Sequence, residues 1–328
     1  MSITPYVPTP FAAPVASPSV GSAGVAYPYC SPSEFLGWPT ALDTTQLIPG
    51  GDSQAQLQAL ADVLSAASAD MDRVCFGQDV AVKGASLAAT TSVESARKRA
   101  INGELRLVCN YKPVVQVNGV DIGFDPSQMA SVGPSVAAQI RIGIRTVYVP
   151  LMPLIYRGGS TMYPAVSQAA GTYYAVWSYV SGYPHTELAA AVTAGATTVD
   201  VLPTDGASGL LGIVPGVTNL TIRDGANTET FTVAAVSGTT LTTAAPLRFA
   251  HTLPQPPDFL PVTAIPDDIK TACIFMAMFL IKTQGNSSLM LQPNSEPNHS
   301  AKMSADEYLD LTYARDLLTP YRVRVKGH

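Results

Sequence analysis

Polar positions almost vanish in one stretch of the chain: from Ala272 to Ile281 every residue is apolar. Pro266, Asp267 and Asp268 precede the run and Gly285 follows it. Proline and carboxylates at the start and glycine at the stop mark the two ends of a helix. A membrane span needs roughly 20 apolar residues, and this run has about half that. It predicts a core helix covered on nearly all sides, with Ile274, Phe275, Met278 and Phe279 inside. A second pattern runs over 52–75, where Leu57, Leu60, Leu64, Ala67, Met71 and Val74 recur at three- and four-residue spacing behind a capping Asp52 or Ser53. Gln54, Gln58, Asp62, Asp70 and Asp72 fall on other faces, so this amphipathic helix can cover one side of the apolar one. A third helix is expected over 304–318, opened by the capping-box pattern Ser304-x-x-Glu307. Tyr308, Leu311, Ala314 or Arg315, and Leu318 share its face, and Pro320 stops it. Residues 31–36 have room for one further helical turn.

Between these early and late helices the period changes to two. Leu105 and Leu107, Val115 and Val117, and Ile140, Ile142 and Ile144 alternate with polar or small residues, and 173–180 (YYAVWSYV) reads as an aromatic strand. Gly119, Gly123, Pro126 and Gly158–Gly159 punctuate the runs. A second β unit follows, with short strands expected over 188–192, 198–202, 219–223, 229–236 and 239–242. Ala194-Gly195, Asp205-Gly206, Asp224-Gly225 and Ser237-Gly238 supply the turns. Even spacing of this kind suggests a small barrel or sandwich, and the proline-rich 253–261 reads as the linker back to the apolar helix. The fold class is therefore α+β. Early and late helices (31–78 and 258–328) form a small bundle, with an antiparallel β region (79–184) and a second β-barrel or sandwich (185–257) inserted between them. Residues 1–30 form an apolar, proline-rich arm. The first fifty residues carry only Glu34 and Asp43 as charged side chains. Such a segment builds no core; it is expected to be extended and to lie on a neighbouring surface.

Composition narrows the function classes. Of 328 residues, 13% are charged, about half the usual ~25%, which suits a surface covered by other proteins. The formal net charge of -5 argues against a nucleic-acid reader as the main role. Cys30, Cys75, Cys109 and Cys273 lie far apart with no CxxC pair, so neither a disulfide framework nor a zinc site is expected, and a reducing cytoplasm is the default. No basic residue precedes an apolar stretch at the N-terminus, so no signal peptide is expected. The sequons at Asn219, Asn286 and Asn298 carry no weight in that setting.

The chain lacks a phosphate loop, a GxGxxG after a strand, HExxH and GxSxG. His185, His251, His299 and His328 show no metal spacing. His185 and His251 flank the second β unit, where a shared site competes with ordinary local hydrogen bonding. Asp121 and Asp125 in DIGFDP resemble a calcium loop without its further oxygen ligands, and an Asx turn is the simpler reading. Asp267 and Asp268 are capping residues. No catalytic residue, cofactor or metal is expected. Two basic clusters remain. Arg97-Lys98-Arg99 lies in a polar stretch. Arg322, Arg324 and Lys326 alternate, so in an extended chain they face one way, towards phosphates or an acidic partner; a solvated tail is the simpler alternative.

In combination these stretches resemble the head–tail adaptor (head-completion connector) proteins of tailed bacteriophages. YCSPSEFLGWP with the 53–75 helix resembles that family's opening helices, and GELRLVCNYKPVVQVNGVDI its central valine-rich strand element. SYVSGYPHTELAAAVTAGATTVDVLPTDG through LTIRDGANTETFTVAAVSGTTLTTAAPLRFAH is similar to the β insertion of its longer members. IPDDIKTACIFMAMFLIKTQG and YARDLLTPYRV look like its buried late helix and its terminal helix. The resemblance implies a homo-oligomeric ring, typically of twelve copies, beneath the portal protein in the virion and assembled in the host bacterial cytoplasm. A tail or stopper protein would dock on its other face, and DNA would pass through the lumen without sequence-specific binding. It implies no catalytic residue and no membrane. The long arm departs from the short members and is expected to reach a neighbour or the capsid. The rival reading is a minor tail or baseplate protein whose second β unit binds carbohydrate or a host surface. That unit has only Phe231 and Phe249 as aromatics.

Overall fold

A computed structural model describes residues 27–40, 42–48, 50–151, 171–204, 209–284 and 305–323. Residues 1–26 of the arm expected over 1–30, the glycine pair 158–159, the turn at 205–206, the loop 286–300 and the cap at Ser304 lie outside them. Tyr29 and Cys30, at the end of that span, are fully buried in the core, against the expectation that it builds none. Within the described residues no helix is long and apolar enough to cross a membrane.

Chain order gives α1 (Pro32–Gly37), α2 (Ser53–Phe76) and the short α3 (Asp79–Lys83). The β region that follows holds β1 (Thr90–Arg99), β2 (Glu104–Val108), β3 (Val114–Gly123), β4 (Met129–Ser131), α4 (Pro134–Ala137), β5 (Arg141–Ile142), β6 (Thr146–Pro150) and β7 (Thr172–Ser181). Six short strands come next: β8 (His185–Glu187), β9 (Thr198–Asp200), β10 (Asn219–Ile222), β11 (Glu229–Ser237), β12 (Thr240–Thr243) and β13 (Pro261–Thr263). The chain then returns to helix with α5 (Asp267–Gln284) and α6 (Ala305–Leu318).

The helices pack as their periodicity requires. Asp52 caps α2 by accepting from Ala55 N at 2.8 Å, and Leu60, Leu64, Ala67, Met71 and Cys75 line its buried face. That face lies on α5, where Ile269, Ala272, Cys273, Ile274, Met276, Ala277 and Met278 are buried. The expectation of full burial needs one correction. Phe275 and Phe279 are only half-buried, because that side of α5 meets α6, whose Tyr313 stands edge-on to Phe275 at 4.7 Å and is itself half-exposed. Ala314, not Arg315, is the buried member of the α6 face, together with Leu318. Lys282 Nζ on α5 donates to Asp310 Oδ2 on α6 at 2.5 Å.

Two antiparallel sheets, in the orders β1-β7-β3-β4 and β2-β6-β5, enclose one core together with the helices. Leu105, Leu107, Val147 and Val149 face it from the smaller sheet, and Tyr173, Ala175, Trp177 and Tyr179 from β7. The Ile140–Ile142–Ile144 alternation does not yield an inward-facing strand. Only Arg141–Ile142 pairs, and Ile144 is 76% exposed, because the chain bends at Gly143 and spends the Ile144 carbonyl on Val114 N. The later strands form a separate six-stranded antiparallel sheet, β8-β13-β10-β11-β12-β9, around Val199, Leu220, Ile222, Phe231, Val233, Leu241 and Val262. Its two outer strands approach each other, with Ala189 N donating to Asp200 O at 2.8 Å and Leu202 N to Glu187 O at 3.0 Å, so the sheet curls towards a barrel. The expected strand at 188–192 is a bend held by single bridges, Leu188 to Val201 and Val192 to His251; its run of alanines offers little surface to bury. The end of the proline-rich linker is instead a strand, β13, with Pro261 at its first position, where a missing N–H is tolerated.

Candidate functional site

Around the start of α1, three parts of the chain converge. Ser31 Oγ accepts from Glu34 N at 3.3 Å, and the Glu34 carboxylate accepts from Ser31 N at 2.9 Å. This reciprocal cap starts α1 and turns the Glu34 carboxylate inward. Facing it is Arg223, at the end of β10 and only 6% exposed. Its Nη1 lies 3.8 Å from Glu34 Oε1, and its Nη2 lies 3.6 Å from Asp267 Oδ1 at the start of α5. Nη2 also donates to the Ile265 carbonyl at 2.5 Å. One guanidinium thus joins the barrel, α1 and the entry to α5. Burial raises the Glu34 pKa, and Arg223 pulls it only partly back.

A second cluster holds residues 27–30. Tyr29 donates from its hydroxyl to Asp72 Oδ1 at 2.7 Å and from its backbone N–H to Ser68 Oγ at 3.0 Å. Leu87 N donates to the same Asp72 oxygen at 2.9 Å. Burial on α2 pushes the Asp72 carboxyl up to about 6, against the lowering effect of the Leu87 and Tyr29 hydrogen bonds. His185 Nε2 donates to the Pro28 carbonyl at 2.9 Å, and the rings of Tyr27 and Tyr29 pack against the imidazole. Burial holds the His185 pKa down at about 4, so the ring is neutral.

The other described histidine, the acidic loop and the cysteines make local contacts, and His299 and His328 lie outside the described residues. His251 does not share a site with His185. Its ring nitrogens lie 2.9 Å from Asp224 Oδ2 and 2.9 Å from Glu229 Oε1, and Glu229 also accepts from Arg248 N and Phe249 N. This clasp ties the 248–251 segment to the β10–β11 hairpin. Asp125 accepts from Ser127 N and Oγ, the Asx turn expected from the sequence, and these bonds lower its pKa. All four cysteines are free and buried. Burial pushes the Cys75, Cys109 and Cys273 thiols up to about 12, so they stay protonated near neutral pH. Among the described residues no cluster of His, Cys, Asp and Glu is arranged to hold a metal ion.

Of the expected contact row, Arg322 is half-buried and donates from Nη2 to the Arg315 carbonyl at 3.2 Å, closing the end of α6. Val323 N donates to Cys75 O at 3.0 Å, so this segment lies against the end of α2. Arg324 and Lys326 lie outside the described residues. The Arg97-Lys98-Arg99 cluster forms the end of β1, an edge strand. Sequence reasoning passed over Arg223, Glu34 and Asp72. A lone arginine closing the apolar strand NLTI, and the spacing Ser31-x-x-Glu34, were the available signals. The sequence matches no protein-family model and no curated protein.

Proposed function

We propose that this chain is a structural virion protein: a head–tail adaptor forming a ring between the portal and the tail of a tailed phage. The observation that carries the reading is the packing of early helix α2 against late helices α5 and α6, with the two β units entering the sequence between them. Arg223 fixes the barrel to that helical core, which suits a rigid module repeated around a ring. A charge-poor composition suits subunits whose surfaces are covered by one another. On this reading the arm over 1–30 clasps a neighbouring subunit or the capsid, a tail or stopper protein docks on the distal face, and DNA crosses the lumen. The carbohydrate-binding alternative gains nothing from the barrel, where Phe231 is buried and Phe249 lies half-buried under the Arg248 guanidinium at 5.4 Å. Virions labelled with an antibody against the barrel test the proposal by electron microscopy. Label at the head–tail junction is expected; label at the distal tail tip would overturn it.

A further inference from the structure

We infer that the end of β1 is a contact site for nucleic-acid phosphates, carried by Arg97 and Arg99. Charge is distributed unevenly along this acidic chain. Residues 79–184 hold nine Lys and Arg against five Asp and Glu, while the remainder holds ten against nineteen. Within the β region most cations are already engaged. Lys83 pairs with Asp79, Arg106 and Arg141 share Glu104, Arg145 donates to the Cys109 carbonyl, and Lys112 donates to that of Pro320. Arg97, Lys98 and Arg99 have no carboxylate partner among the described residues.

Their placement gives the charges a direction. β1 pairs with β7 along its whole length, from Thr90↔Ser181 to Arg99↔Thr172, and no other described strand pairs with its second edge. Arg97 and Arg99 are exposed on the outer face, two residues apart and so about 6.6 Å along the strand. That separation is comparable to the spacing of neighbouring phosphates on one nucleic-acid strand. The Arg97 guanidinium lies 5.4 Å from the centre of the Tyr174 ring, which steadies it while leaving its N–H edge to donate. Lys98 points to the opposite face at the end of the core, opposite Tyr173. Cations on an edge strand also guard it against pairing with another edge. That role needs charge along the edge, not two arginines held on one outer face beside an aromatic ring. The contact is to the backbone and carries no base specificity.

The inference holds for a free chain as for a ring, so its failure would leave the adaptor proposal standing. The test is equilibrium binding of the full chain to a short labelled DNA duplex over a range of salt concentrations, for wild type and Arg97→Gln/Arg99→Gln. Wild type is expected to bind in low salt with a negative slope of log affinity against log salt. The double variant is expected to lose about tenfold in affinity and roughly 2 from the magnitude of the slope. The single Arg99→Gln, on an exposed side chain, should lose roughly 1 from the slope and serves if the double variant does not fold. No binding by wild type, or unchanged affinity and slope in the variants, would overturn the inference. So would salt-sensitive self-association of wild type without DNA binding, which would assign the cations to an acidic face of a second copy. Variants that aggregate yet bind DNA as before would reduce them to an edge guard.

Discussion

Arg223 Nη1 lies 3.8 Å from Glu34 Oε1, a pairing of a buried guanidinium with a partly buried carboxylate that joins the barrel to the first helix. Removing the arginine strands the carboxylate in a site where burial already disfavours its charge. Arg223→Leu is therefore expected to cost about 3 kcal/mol in urea unfolding at neutral pH. Arg223→Leu/Glu34→Gln should recover most of that loss, because neither charge then remains. A single variant within half a kcal/mol of wild type would show that the pair does not hold the units together.

Asp72 gives a pH signature of definite sign. Its carboxyl is raised from 3.8 to about 6 in the folded chain. Between those values the native state holds a proton that the unfolded state has released, so its contribution to stability is full below about pH 4 and is lost as pH rises through 6. Asp72→Asn keeps an oxygen to accept from Tyr29 and Leu87 and removes the titration. The stability of wild type relative to this variant should fall by up to about 3 kcal/mol from pH 4 to 7. A difference that stays level over that range would contradict the burial argument.

His185 titrates in the opposite sense. Its folded pKa, about 4 against 6.5, means that the unfolded chain takes up a proton first as pH falls. The stability it contributes is present above pH 6.5 and is lost on acidification towards 4. Imidazole NMR signals of His185 should show a neutral ring at pH 5, and acid should expose the chain at Tyr27–Pro28 to limited proteolysis. A midpoint near 6.5 would show that the ring is not sealed against Pro28.

The two sides of α5 should respond differently to truncation. Ile274 is fully buried, and Ile274→Ala is expected to cost about 3 kcal/mol. Phe279→Ala removes a larger side chain from a half-buried position and should cost less than Ile274→Ala. The reverse order in thermal or urea unfolding would mean that further structure covers that side of the helix.

Much of this fold is legible where one face of an element repeats in the sequence. The Leu60–Leu64–Ala67–Met71 spacing and the apolar 272–281 run identify α2 and α5, because helical period and burial agree there. The barrel strands at 198–200 and 219–222 fall within the expected runs, and that at 229–237 overruns its expected end at 236 by one residue. Strand β1 is not legible in this way: Val93 is its one large apolar residue and is 66% exposed. Backbone pairing with β7, rather than a buried face, makes it a strand. Strand β13 was hidden by the prolines around it. The Arg223–Glu34 and Tyr29–Asp72 contacts join segments far apart in the chain, and no local pattern encodes such meetings.

The adaptor proposal is tested most directly by particle mass, measured by mass photometry on the purified protein alone and mixed with the portal protein. The account predicts a closed ring of many copies that forms on, or is captured by, the portal, and a loss of that ring when residues 2–26 are deleted. A particle whose mass is indifferent to the portal, whether monomer or trimer, would contradict it and favour the tail-protein reading.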